Sequence, residues 1–326
     1  MAGPRSEREL IKASNAFAHE VRWLSWFHLI STLGWLVSMQ LAAAWLEAWW
    51  LRLGCSLLIG LLTVRMFILF HDFKHGSILQ NTIFARVVLD VFGWYGLTPA
   101  SVWSQTHNYH HAHTAKIASS HVGSYAMLTT ELWQEAGAAE RAVYKLLRHP
   151  MNILLGYLTV FFYGFCVAGF LRNPRKNVDS LIAILLQVAI IVWLWHSYGF
   201  ATLCYVVLFP QFLSHALGAY LFYAQHNYPD VKVYSREEWT FTRASLESSS
   251  YMRLGPVMNY FTGNIGYHHV HHLNYRIPFY RLPEAMAAIP ELREPRGVTS
   301  LHPRDILACF RQKLWSPAQN RMVPYR

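Results

Sequence analysis

Apolar residues run along this chain in long blocks, without the strict alternation of a half-buried strand or the narrow stripe of an amphipathic helix. A helix needs about 20 apolar residues to cross roughly 30 Å of hydrocarbon. Four blocks read as such spans: Leu24 to Leu46, Trp49 to Phe70, Leu181 to Trp195 with its edges, and Phe200 to Tyr223. A fifth, Met151 to Leu171, is as apolar as the others. Phe84 to Pro99 is less regular and is expected to lie along an interface, and Gln134 to Arg148 has the pattern of an amphipathic helix. The pattern predicts an all-α, polytopic membrane protein forming one domain over residues 1–326. Residues 1–23 form a helical lead-in, and residues 293–326 a surface tail with one short helix near Ile306 to Leu314.

Lys and Arg give the blocks an orientation. Four precede Leu24, six lie between His71 and Pro150, three between Arg172 and Lys176, and thirteen after Ala224, whereas the turns at Glu47–Ala48 and His196–Gly199 carry none. The charged stretches are therefore expected on the cytoplasmic face and the two bare turns outside. Arg52 and Arg65 lie inside a span and are expected to snorkel toward the headgroups. If Met151 to Leu171 crossed once, every later segment would be inverted. The parity is kept if this run is a re-entrant or interfacial hairpin that turns at Gly156, Gly164 and Gly169 and leaves by the face it entered.

Composition narrows the class. The chain is 53% hydrophobic and only 14% charged, with a net charge of +10. That excludes a disordered chain, and the basic excess reads as membrane orientation, with no nucleic-acid partner. Cys55, Cys166, Cys204 and Cys309 are far apart and suggest neither a disulfide framework nor a thiolate metal site.

Histidine carries the chemistry. His71 and His75 stand at i and i+4 at the end of the second block; His107, His110 and His111 at i, i+3 and i+4; His268, His271 and His272 repeat that spacing; His226 follows the fourth block directly. Each set shares one helical face, while His269 points about 100 degrees away from His268 and is left out. Nine imidazoles exceed the three or four protein ligands of one zinc and imply two ions. Imidazole suits Zn, Cu, Fe or Ni alike, so the ligands alone do not choose the metal. Asp72, Asp90 and Glu247 are placed to orient imidazole N–H groups.

The stretches HDFKHGS, HNYHH, FYAQHNYPD and FTGNIGYHHVHHLNYRIPFYRL resemble those of the membrane fatty acid desaturases, and the last resembles the bacterial acyl-lipid branch. The similarity runs from about Val64 to Glu284. It implies about four transmembrane helices under a cytoplasmic helical cap holding two Fe ions, with O2 as cosubstrate. The implied metal ligands are His71, His75, His107, His110, His111, His226, His268, His271 and His272, with no catalytic residue beyond them. The expected enzyme is a fatty acid desaturase that inserts a double bond into a membrane-embedded acyl chain, reducing O2 to two waters. The implied location is a bacterial inner membrane, with the active site on the cytoplasmic face. Where coenzyme-A-dependent relatives place an Asn one turn before the separate histidine, this chain has Phe222.

The substrate would be an acyl lipid or acyl thioester. Electrons would come from a separate protein such as ferredoxin or cytochrome b5, since the chain has no HPGG haem motif, no GxGxxG and no cysteine set for an iron–sulfur cluster. The alternative is a membrane diiron hydroxylase or ketolase acting on an alkane, sterol or carotenoid. A metal transporter would place ionisable residues along a path at mid-span, and the third and fourth blocks hold only His215.

Overall fold

The computed structural model describes residues 5–117 and 124–325, so the first four residues of the lead-in lie outside the description. Helix α1 (Glu7–Ser14) opens with a capping box, in which Ser6 Oγ accepts from Glu9 N while the Glu9 carboxylate accepts from Ser6 N. Helices α2 (Arg22–Trp45) and α3 (Trp49–His75) then pack along each other. Helix α4 (Ile83–Tyr95) buries Ala85, Leu89 and Phe92 and exposes Ile83, Phe84, Val87 and Val91. After α5 (Ala100–His113) come the short α6 (Thr130–Glu135) and α7 (Ala138–Leu147), α8 (Pro150–Leu154), a π-helical stretch Tyr157–Ala168, and α9 (Gly169–Arg172). Helix α10 (Val178–Leu203), a π-helical turn Cys204–Leu208 and α11 (Phe209–His226) follow.

Among the described residues, three helical runs are long and apolar enough to cross a membrane: Arg22–Trp45, Trp49–His75 and Val178–His226. The last is 49 residues long, about twice what a bilayer requires. It is broken at Gly199, whose φ of 81° and ψ of 164° only glycine adopts readily. Its two limbs match the third and fourth apolar blocks. At the broken end Arg52 clamps the corner, donating from Nε to Ala43 O (2.8 Å) and from Nη2 to Thr202 Oγ1 (2.9 Å). At the other end α11 delivers His226 beside α3's last turn, having run back along α3.

The cap is built from α12 (Phe241–Glu247), β1 (Tyr251–Arg253), α13 (Pro256–Phe261), α14 (His268–Leu273), α15 (Leu282–Ala288), β2 (Val298–Ser300), α16 (Pro303–Arg311), β3 (Leu314–Ser316) and β4 (Arg321–Val323). Strands β1 and β2 pair in parallel, and β3 and β4 antiparallel. One apolar core joins the cap to the bundle, running from Leu29 and Phe70 through Tyr223 to Ile277, Cys309 and Trp315.

Four expectations need correction. The run Met151 to Leu171 contains no hairpin. Gly156 and Gly169 are both right-handed helical, and they serve as close-packing points: a Cβ on Gly156 would sit 3.0 Å from His215 O, and one on Gly169 2.8 Å from Val102 Cγ2. Arg65 does not snorkel. Arg65 is buried and reaches across to Thr32 Oγ1, His28 Nδ1 and Tyr260 O, stacking 3.9 Å from the Tyr260 ring, because a guanidinium in a packed bundle takes the nearest neutral acceptors. The helix expected over Gln134 to Arg148 is two helices, parted at Ala136–Gly137 where the backbone is extended. Residues 293–325 are no surface tail: β2 completes a sheet with β1, and Cys309, Leu314, Trp315 and Met322 are buried.

Candidate metal centre

The end of α3 stacks His71 over His75, their ring centroids 4.5 Å apart. One turn of α5 presents His107, His110 and His111; α11 ends on His226; α14 carries His268, His271 and His272. The structure brings all nine rings together, in two sets. His71, His75, His107, His111 and His271 form one, and His110, His226, His268 and His272 the other. Within each set, one ring nitrogen per residue lies within 4.8 Å of all the others, and the nine residues are only 1–9% exposed.

The nitrogens face each other in a way that protons alone satisfy poorly. In the second set Nε2 of His226 lies 3.0 Å from Nε2 of His110 and 2.9 Å from that of His268, which lies 3.1 Å from that of His272. His226 donates its Nδ1–H to Ser248 O at 3.0 Å, which leaves a lone pair on its Nε2. A hydrogen on His268 Nε2 aims at one neighbour only, so at least one close nitrogen pair is left without a hydrogen bond. The first set repeats the crowding, His111 Nε2 being 3.1 Å from His107 Nε2 and 3.2 Å from His271 Nε2, while His75 Nε2 has no hydrogen-bond partner. A cation that accepts all the converging lone pairs removes the conflict, so the donor sets fit two metal ions held by nitrogen.

Burial, reinforced by the neighbouring imidazoles, holds His107, His110, His111, His268, His271 and His272 well below the ordinary value of 6.5. They are neutral at physiological pH, the form in which imidazole binds a metal.

Of the three carboxylates expected to orient imidazoles, only Asp72 does so. Its Oδ1 accepts from His71 Nδ1 at 2.9 Å and its Oδ2 from Phe279 N at 2.7 Å. Asp90 is engaged by Lys74, and Glu247 by Arg296 and Arg243, because both sit nearer the surface where a cation is within reach. Sequence reasoning missed the carbonyl of Ser248, which leaves no side-chain signature. It also missed two ring contacts: Trp103 stacks on His107 at 4.4 Å and Tyr275 on His75 at 4.8 Å. Trp103 stands four residues before His107, a helical spacing visible in WSQTH. Phe222 sets its edge against His110 (5.1 Å) and His226 (5.7 Å), an apolar wall beside the second set. His269, left out on geometry, turns away to Leu292 O at 3.1 Å.

This geometry coincides with a sequence relationship. The family model described as fatty acid desaturase matches residues 47–303, a segment that contains all nine histidines. The chain belongs to the fatty acid desaturase family. It is 29% identical to a fatty acid desaturase of Bacillus subtilis (strain 168), across 98% of this chain and 91% of that protein. It is 24% identical to an sn-1 acyl-lipid omega-3 desaturase (ferredoxin) of Nostoc sp. (strain 36), across 76% of this chain and 69% of the relative. A shorter stretch, 36% of this chain and 25% of the relative, is 35% identical to an oleate hydroxylase of Claviceps purpurea. As a member of this family the chain is an oxidoreductase of lipid metabolism, and with its three long apolar helices it is an integral membrane protein.

Proposed function

We propose that this desaturase forms a carbon–carbon double bond in a membrane-embedded acyl chain, using dioxygen and two electrons from a separate donor protein. The observation that carries the reading is the gathering of nine buried imidazoles from four stretches of chain into two donor sets. No side-chain acid or base can take hydrogen from an unactivated methylene. Two iron ions, held by His71, His75, His107, His111 and His271 and by His110, His226, His268 and His272, supply that oxidising power when bound. The chain's own part is to fix the ligands: Asp72 and Ser248 O hold two rings in one tautomer, and Trp103, Tyr275 and Phe222 wall the site from water.

The topology proposed is four crossings: α2, α3 and the two limbs parted at Gly199. The helical run Pro150–Leu154 to Gly169–Arg172 lies shallowly, for both its ends are tied near the histidine end of the bundle. Arg148, just before it, bonds Asn227 beside His226, and Asp179, just after it, accepts from Ser101 N at the start of the histidine-bearing α5 (2.8 Å). With the basic stretches on the same side, that end faces the cytoplasm of a bacterial inner membrane. The B. subtilis and Nostoc similarities support an acyl chain as substrate, and the name of the Nostoc relative supports an acyl lipid and a ferredoxin as donor, with an acyl thioester and cytochrome b5 the alternatives to them.

Expression in a host of simple lipid profile, with the new double bond located by mass spectrometry, tests the reading. The short match to the Claviceps hydroxylase favours a second outcome, hydroxylation. Retention of labelled oxygen in the product would decide for it.

A further inference from the structure

A cavity of about 30 Å³ lies beside the second histidine set, walled by His110, His226, Tyr125, Arg148, Phe222 and Ser248 among others. A space of this size takes one or two waters, and water occupies it where two to four polar groups face in. Among the described residues, two buried polar atoms of its wall have no partner, the Tyr125 hydroxyl and Arg148 Nε. Arg148 is completely buried, and its other nitrogens donate to Ala126 O, Asn227 Oδ1 and Gln312 O, all neutral. Among the described residues no carboxylate pairs with it, and residues 118–123 contain no Asp or Glu. Burial and the neighbouring Tyr223 push the Tyr125 phenol above its ordinary value, with Arg148 working against them, so the phenol rests with its proton on.

The proposed reaction creates a demand at this point. Two methylenes and one dioxygen become a double bond and two waters when the acyl chain gives two hydrogens, the donor two electrons and the solution two protons. The nine histidines are only 1–9% exposed, so those protons need a path. We propose that the cavity is that path: it holds two waters, and Tyr125 gives its hydroxyl proton to the inner one as that water passes one of its own toward the His110 and His226 side, while the second water, held by Arg148 Nε–H, gives Tyr125 a proton in the same shift and regains one from solution. The O–H bond of Tyr125 breaks and re-forms once per proton, and one proton moves inward each time. Tyr144 and Tyr228 are unsuited to this role, because their hydroxyls are committed to Lys313 O (2.6 Å) and Glu247 O (2.9 Å). Tyr125 acts as a relay and is not a ligand.

The inference rests on the oxidase reading of the site but not on its product, since hydroxylation also takes two protons from solution. The first test needs no turnover: an experimental structure of the full chain at a resolution that shows water. Ordered water touching Tyr125 Oη and Arg148 Nε is expected, and an empty or side-chain-filled cavity overturns the proposal whatever the enzyme makes. The second compares Tyr125→Phe with Tyr144→Phe at saturating lipid and donor. Tyr125→Phe should keep its bound iron, lose on the order of 10²-fold in rate and gain a larger solvent deuterium isotope effect; Tyr144→Phe should leave the isotope effect unchanged. Wild-type rate and isotope effect in Tyr125→Phe would overturn the relay. Labelled oxygen retained by the wild-type product would overturn desaturation while leaving the relay standing.

Discussion

At the scale of single residues, the decisive fact is that ring nitrogens with nothing to bond are packed where water does not reach. Among the described residues His75 Nε2 lacks a partner, and the Nε2 atoms of His111, His226 and His268 crowd those of their neighbours at 2.9–3.2 Å; a buried polar group left unsatisfied costs about 1–3 kcal/mol. Metal ligation turns that cost into the reason for the arrangement. His110→Ala or His271→Ala should therefore abolish product formation and lower bound iron by at least half; full activity in either variant would sink the ligand assignment. Asp72 is argued differently, because its carboxylate holds two donors, His71 Nδ1–H and Phe279 N–H, where an amide oxygen serves one well. Asp72→Asn should weaken iron binding by about 10–100-fold in a titration of the metal-free protein. His269→Gln is the control: its ring serves Leu292 O, so iron content should stay at the wild-type level, and a loss matching that of His271→Ala would mean the ring sets are misdrawn.

At the scale of elements, what was legible in the sequence and what was not divide by range. The spans announced themselves through length and hydropathy, and the helix faces carrying the histidines through the i, i+3 and i+4 spacing, both local properties. Misreadings came where the cause lies in a distant residue. Gly156 and Gly169 look like turn glycines until His215 and Val102 are seen against them, and the last 33 described residues look like a tail until Val298 is found paired with Tyr251. Arg65 looked like a snorkelling charge because its acceptors, Thr32 and Tyr260, belong to other elements. Gly199 makes the opposite case, a glycine between two apolar blocks that does turn the chain. Nothing lies within 4 Å of where its Cβ would be, so the cost of a side chain there is purely of the backbone. Gly199→Ala should destabilise the protein by about 1–3 kcal/mol, seen as a lower thermal midpoint in detergent with iron content unchanged. A midpoint equal to that of the wild type would show that the two limbs do not turn there.

For the whole molecule, the proposed metal centre and the fold are one problem, because the nine histidines come from α3, α5, α11 and α14 and so join the bundle to the cap. Anything that binds the folded form and not the unfolded chain stabilises it by mass action. Stripping iron with a chelator should lower the thermal midpoint, and re-addition should restore it. Acid sharpens the test, and its sign follows from burial. His107, His110, His111, His268, His271 and His272 are held well below 6.5 in the folded protein, chiefly by desolvation. As pH falls past 6.5 the unfolded chain takes up protons on these rings and the folded chain does not. Stability of the metal-free protein is thus intact above that value and falls below it, by about 1.4 kcal/mol per pH unit for each such ring until its folded value is reached. With iron bound, the same protons must also displace the metal, so the loss should start at lower pH and coincide with iron release. Thermal midpoints of both forms between pH 8 and 5 check this: curves that fall together, or a metal-free form indifferent to acid, would mean that the histidines are not buried as a neutral cluster at the join of bundle and cap.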